Sequence, residues 1–121
     1  MKRDMDLVRK ILLAVEAEES GYAKANPTIE GYSQEQVDYH IYLMWQAGLV
    51  DAADSSAMDS SSPGAILNSI TWKGHDFLDA AKSSSVWEKA KEKAKAVGGA
   101  MTFDLLKELL VATARDQLGL G

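Results

Sequence analysis

His40 and His75 are the only histidines in this 121-residue chain, and a zinc site or a proton relay would want them converging with carboxylates. Their settings argue otherwise. His40 falls on or beside the buried side of a helix, where a hydrogen-bonded, partly buried ring is expected, and His75 falls in the first turn of a later helix, a surface or capping position. Asp51, Asp54 and Asp59 suggest calcium, but a calcium loop sets oxygen donors at alternating positions and follows them with Gly and a late Glu, a rhythm missing here. Serines crowd positions 55–62 and 83–85 without a G-x-S-x-G elbow or an S-x-x-K motif to activate one of them, and Gly98-Gly99 lacks the Lys and following hydroxyl of a phosphate loop. With no cysteine there is no thiolate nucleophile, no thiolate zinc site and no disulfide. These residues predict a protein that is not an enzyme, with no catalytic residue, no cofactor and no metal.

Charge distribution is more informative than reactive groups. The formal net charge is −5, and residues 1–72 carry it, with five Lys/Arg against eleven Asp/Glu, whereas residues 73–121 hold eight against seven. No Lys or Arg occurs from Ala25 to Trp72, while Glu30, Glu35, Asp38, Asp51, Asp54 and Asp59 all lie there. The cations that exist cluster at Lys2, Arg3, Arg9 and Lys10 and again at Lys89, Lys91, Lys93 and Lys95, where Glu88 and Glu92 supply helical partners.

The element that positions the central acidic stretch is a helix over about residues 34–47. Ser33 and Gln36 form an S-x-x-Q capping box, Gly48 supplies the left-handed stop, and Val37, Ile41 and Met44 recur on one face beside His40 and Ala47. Leu49-Val50 then leads into an extended segment. Ahead of this helix, Asp4 caps another from Met5 to Glu18 with an apolar stripe at Leu7 or Val8, Ile11, Leu12 and Val15. The interval between them holds Pro27 and Gly31, and reads as a degenerate helix or a short strand at Thr28-Ile29-Glu30.

A Ser/Asp/Pro/Gly loop from Asp54 to Gly64 separates two strand candidates, 49–52 and 66–72, which predict an antiparallel wing. Alternation in the second can be read at Leu67, or at Ile66 with Ile70 and Trp72. Thr71 to Lys73 opens a helix whose Phe77, Leu78 and Ala81 face inward, with Gly74 permitting close packing at its start, and Ser83 to Ser85 break or bend it. Two amphipathic helices follow. The first runs from Val86 to Val97 with Trp87, Ala90, Ala94 and Val97 on one face, and Gly98-Gly99 ends it. The second is capped by Thr102 and striped with Phe103, Leu106, Leu109, Leu110, Thr113 and Leu118. The predicted core is Leu12, Val15, Val37, Ile41, Met44, Leu49, Ile70, Trp72, Phe77, Leu78 and Leu106.

The fold class predicted is therefore α+β: a winged-helix-like domain over residues 1–82, a helix-turn-helix variant with a β-hairpin wing, followed by a C-terminal helical hairpin over 83–121 packed on it or used for self-association. The final helix is apolar over more than half its girth, so a homodimer through Phe103, Leu106, Leu109 and Leu110 is expected. The strings MKRDMDLVRKILL, GYSQEQVDYHIYLMWQAGLV and ITWKGHDFLDAAKSSSVWEKAKEK, with GGAMTFDLLKELL after them, resemble a family of short bacterial and prophage proteins, domain of unknown function 2513. The resemblance implies a winged-helix-like fold and a bacterial or phage source, and brings no catalytic residue with it. The loop from Asp54 to Pro63 is longer and richer in Ser than the family pattern.

In a winged helix the exposed face of the central helix enters the DNA groove, and here that face offers Gln34, Glu35, Asp38, Tyr39 and Tyr42. Gln can read adenine, but duplex affinity comes largely from neutralised phosphates, and this face has no cation. The face therefore predicts a protein partner, and the expected function is that of a non-enzymatic regulatory or adaptor protein. The alternative is a DNA-binding transcriptional regulator of winged-helix type, with Lys89, Lys91, Lys93 and Lys95 as a second nucleic-acid face. With neither a signal core nor a run of the ~20 apolar residues that spans a bilayer, a cytoplasmic protein with no membrane contact is expected.

Overall fold

The computed structural model describes residues 1–57, 61–96 and 102–119. The chain divides into two compact units, Met1–Asp76 and Phe77–Gly121.

In the first unit, α1 spans Met5–Glu16 and α2 spans Gln34–Gln46. Asp4 starts α1 in an extended conformation, its Oδ1 accepting from the N–H groups of Asp6 (2.9 Å) and Leu7 (3.3 Å). The helix stops two residues short of the expected Glu18, and Met5, Leu7, Val8, Ile11, Leu12 and Val15 form its buried stripe. In α2 the capping box is complete: Ser33 Oγ accepts from Gln36 N–H (3.1 Å) and Gln36 Oε1 from Ser33 N–H (2.8 Å). Its other end closes as a Schellman motif, with Gly48 at φ 79°, Gly48 N–H donating to Trp45 C=O (3.0 Å) and Leu49 N–H to Met44 C=O (2.9 Å). Leu49 is buried, so this cap also turns the chain into the wing.

The wing consists of β1 (Val50–Asp54) and β2 (Ala65–Ile70), paired antiparallel as the sequence predicts. Val50 pairs with Ile70 and Asp51 with Ser69, but Ala52 pairs with Leu67, which leaves Asn68 as the extra residue of a β-bulge. A bulge shifts side-chain parity. Ala65 and Leu67 are buried and Ile70 is half-buried, while Ile66 (54% exposed) and Trp72 (85% exposed) face outward. The expectation of a core Trp72 is thus corrected: β2 ends at Ile70 and Trp72 opens the following helix, while the bulge accounts for Leu67 and Ile70 turning to the same side.

No second helix forms between α1 and α2, and Thr28-Ile29-Glu30 is not a strand. The segment instead runs along the free edge of β2. Ala23 N–H donates to Asn68 C=O (2.8 Å), Asn26 Oδ1 accepts from Leu67 N–H (2.8 Å), and Asn26 Nδ2 donates to Ala65 C=O (2.8 Å). One side-chain amide stands in for a strand residue and occupies an otherwise open edge.

The third helix, α3, spans Trp72–Ala81. Thr71 Oγ1 accepts from Gly74 N–H (3.1 Å) and donates to Gly48 C=O, which ties the start of α3 to the end of α2. Gly74 sits so close to the chain at Leu49 that a Cβ there would overlap the Leu49 carbonyl oxygen and lie 2.7 Å from Ile70 Cγ2.

In the second unit, Phe77, Leu78 and Ala81 of α3 are buried. Ser83 ends that run and starts α4 (Ser84–Ala96), with Trp87 N–H donating to Ser83 C=O (3.0 Å). Val86, Trp87, Ala90 and Ala94 are its buried face. Thr102 Oγ1 accepts from Leu105 N–H (3.1 Å) to begin α5 (Phe103–Gln117), which buries Leu106, Leu110 and Thr113. Phe77 packs edge-on to Trp87 (centroids 6.3 Å apart, 86°) and lies 4.9 Å from the Phe103 ring. Gln117 Nε2 reaches Ser85 Oγ (3.5 Å), so the end of α5 lies beside the start of α4. Leu118, expected in the buried stripe, is the αR C-cap of α5 and is 73% exposed. Val97, the Gly98-Gly99 stop and Asp59 lie outside the described residues.

Candidate interaction face on the second helix and the wing

The buried histidine serves structure. His40 is 1% exposed, its Nδ1–H donating to Gln36 C=O (2.8 Å) and its Nε2 accepting from Asp4 N–H (2.8 Å). Because one partner can only accept and the other only donate, the two backbone groups specify the Nδ1–H tautomer. The ring therefore joins α2 to the residue that caps α1. Asp4 is shared further: Tyr32 hydroxyl donates to its Oδ2 (3.0 Å), and Lys10 Nζ lies 5.4 Å from the Tyr32 ring centroid. Burial first, and then the bonded Asp4 carboxylate, raise the Tyr32 phenol above its ordinary range.

His75 is exposed in the first turn of α3 and lines a cleft of about 190 Å³ with Glu16, Glu18, Glu19 and Ile70. Among the described residues, no group of three or more His, Cys, Asp or Glu comes together in a way that could hold a metal ion.

The acidic face of α2 is built around Asp38. Its Oδ1 accepts from Asn26 Nδ2 (2.9 Å) and from Gln34 Nε2 (3.0 Å), and Gln34 also donates to Pro27 C=O (3.4 Å). Gln34 is thereby held against its own chain. Glu35, one position on, is exposed and accepts from Ser61 Oγ (2.9 Å) of the wing loop. Between helix and wing lies a cleft of about 300 Å³, lined by Glu35, Asp38, four serines (Ser55, Ser56, Ser61 and Ser62), Pro63 and Gly64. Its floor is ordered by the wing itself: Gly64 N–H donates to Ser56 Oγ (3.0 Å), Ser55 N–H to Gly64 C=O (3.0 Å) and Ser56 N–H to Asp54 Oδ1 (2.8 Å). The hydrogen bonds from Ser56 hold the Asp54 carboxyl below its usual range.

Farther along α2, Tyr39 and Tyr42 are half-buried, with Tyr42 meeting Trp45 edge-on (6.1 Å) and accepting from Gln46 Nε2 (3.3 Å). The predicted face is therefore contiguous with the wing. Asn26 was not singled out by sequence reasoning. The Asn-Pro pair announces a turn, but nothing local announces bonds to Ala65 and Leu67, about forty residues away.

The other predicted surfaces fare differently. On α4, Lys89 and Lys95 are exposed, Lys91 lies 3.3 Å from Glu88 Oε1, and Lys93 donates to Thr113 Oγ1 (3.1 Å) with Asp116 Oδ2 at 3.8 Å. On α5, Leu106 and Leu110 are fully buried, while Phe103 and Leu109 are half-buried.

Two N-terminal helices, an antiparallel hairpin after the second of them, and further helices beyond define a winged-helix-like α+β protein, in which a loop replaces the customary middle helix. Among the described residues, no helix is long and apolar enough to cross a membrane. The chain belongs to the bacterial and prophage family described as "Hypothetical protein (DUF2513)", whose profile matches residues 2–100. A Haemophilus influenzae relative described as "Uncharacterized protein" is 34% identical over 110 residues, covering 90% of this chain and 92% of its own. No solved structure matches the chain.

Proposed function

We propose that this is a non-enzymatic, cytoplasmic regulatory or adaptor protein that binds another protein through the exposed face of α2 and the adjoining wing. The observation that supports this reading is the cleft between them, walled by Glu35 and Asp38 and by serine hydroxyls, in a stretch with no Lys or Arg from Ala25 to Trp72. A polyanion meets carboxylates there with no cation to neutralise it, and each phosphate contact foregone removes roughly 0.9 from the salt slope that drives duplex binding. A basic protein segment suits the same surface. Its ammonium or guanidinium groups would donate to Glu35, and the half-buried rings of Tyr39 and Tyr42 would supply the apolar contact beside it.

Two measurements test the proposal. Labelled duplex DNA titrated across salt should not bind at physiological ionic strength, and a partner captured from the native host should be lost on Glu35→Lys, a substitution at an exposed position whose folding is checked by circular dichroism. Duplex binding with a steep salt slope that disappears on Gln34→Ala and Tyr39→Ala would establish the alternative, a winged-helix transcriptional regulator. Duplex binding that disappears only when Lys89, Lys91, Lys93 and Lys95 are neutralised would make α4 the nucleic-acid face.

A further inference from the structure

The outer face of α5 carries a second, independent surface. Its inner face is taken up by Leu106, Leu110 and Thr113, which are buried. On the opposite side Asp104, Glu108, Val111, Arg115 and Leu118 recur at intervals of four and three, the spacing of a helix-pairing seam. All five are exposed, Val111 at 44% and Leu118 at 73%, and the seam borders an open depression lined by Asp104, Lys107, Glu108, Val111, Ala112 and Arg115. The charges are ordered along it. Acids occupy the N-terminal half, Val111 the centre and Arg115 the C-terminal half.

We infer that this seam binds a second copy of the chain, α5 against α5, antiparallel about a two-fold axis at Val111. Antiparallel pairing complements the order of Glu108 and Arg115, whereas in-register parallel pairing does not. Glu108 lies three positions before Val111 and Arg115 four after it, so antiparallel pairing brings Glu108 beside Arg115 of the partner subunit, one position out of exact register, and the symmetry makes the same pair twice. Parallel pairing would set Glu108 against its own copy and Arg115 against its own, two like-charge contacts. The expected dimer seam is thus not the stripe of Phe103, Leu106, Leu109 and Leu110, since Leu106 and Leu110 are already covered by their own chain. One pair of helices of this length falls short of a standard interface of roughly 1,600 Å², so the dimer is expected to dissociate on the order of 10–100 µM. The inference does not rest on the α2 face, and either can fail without the other.

Sedimentation equilibrium on the full chain tests it with two charge reversals, Glu108→Arg and Arg115→Glu. The wild type should dimerise over that concentration range. Each variant alone should be at least tenfold weaker, because it faces its own copy with two like-charged pairs. An equimolar mixture of the two should recover the dimer as a heterodimer, because every reversed side chain then meets its complement. Val111→Ser, which leaves charge untouched, should also weaken the wild-type dimer. A wild type that stays monomeric at several times those concentrations overturns the inference. So does a pair of variants that dimerise like the wild type, or a mixture that fails to recover a dimer the wild type forms.

Discussion

Replacing Gly74 by Ala sets two physical effects of opposite sign against each other. Judged locally the change stabilises, because Ala is favoured over Gly inside a helix by about 1 kcal/mol, partly through the lower entropy of the unfolded chain. Judged in the folded protein, the new Cβ overlaps the Leu49 carbonyl oxygen and lies 2.7 Å from Ile70 Cγ2 and 3.0 Å from Leu49 C, where carbon pairs prefer about 3.5–4.0 Å. Neither neighbour can retreat freely. The Leu49 carbonyl accepts from Thr71 N–H (3.1 Å), and the Leu49 N–H closes the cap of α2 on Met44. Relief therefore strains a helix cap and a strand-end hydrogen bond together, an overpacking cost of about 1–3 kcal/mol plus about 1 kcal/mol for a weakened backbone bond. Set against the local gain, the net expectation is a loss of roughly 1–3 kcal/mol. Urea unfolding followed by circular dichroism measures it, and with a slope of about 1–3 kcal/mol/M the midpoint should fall by on the order of 1 M at unchanged slope. Gly21→Ala is the control, since nothing lies within 4 Å of a Cβ there. A Gly74→Ala protein as stable as the wild type, or more so, would refute the close approach and leave helix propensity in charge.

Asn26→Ala should cost about 1–3 kcal/mol, because it strands the Leu67 N–H and the Ala65 C=O at the edge of β2, and the amide of Leu67 should exchange faster with solvent while those in α5 do not. Trp72→Ala should change stability by less than about 0.5 kcal/mol and remove a red-shifted component of tryptophan emission, given that Trp72 is 85% exposed; a large loss would restore it to the core. The raised Tyr32 phenol predicts an alkaline limb. The folded protein keeps the proton after the unfolded chain has lost it, so the contribution is complete below the unfolded value of 10.0 and is lost as pH rises through the higher folded value. Tyr32→Phe should flatten that limb in thermal melts taken across the range, and an unchanged pH profile would count against the Tyr32–Asp4 bond.

Much of the helical framework is written in short-range chemistry. Asp4, the Ser33–Gln36 box, Gly48 and Thr102 each act on groups a few residues away, so the helix ends are readable wherever such caps occur. The wing is readable because a polar loop separates two strand candidates, and the acidic character of α2 is a matter of residue identity alone. The tertiary structure decided the rest. Helical periodicity shows that α5 has apolar residues to bury, but only packing against its own unit commits Leu106 and Leu110 and leaves Val111 and Leu118 outside. Alternation in β2 is ambiguous until the pairing with β1 displaces Asn68 and brings Leu67 and Ile70 to the same face, and Trp72 is exposed because the strand has ended and it opens α3. Where a middle helix would stand, Asn26 joins a β2 edge that lies 39 and 41 residues away along the chain. Such bonds form only after both segments have been brought together, and their energy depends on a geometry that neither segment carries alone.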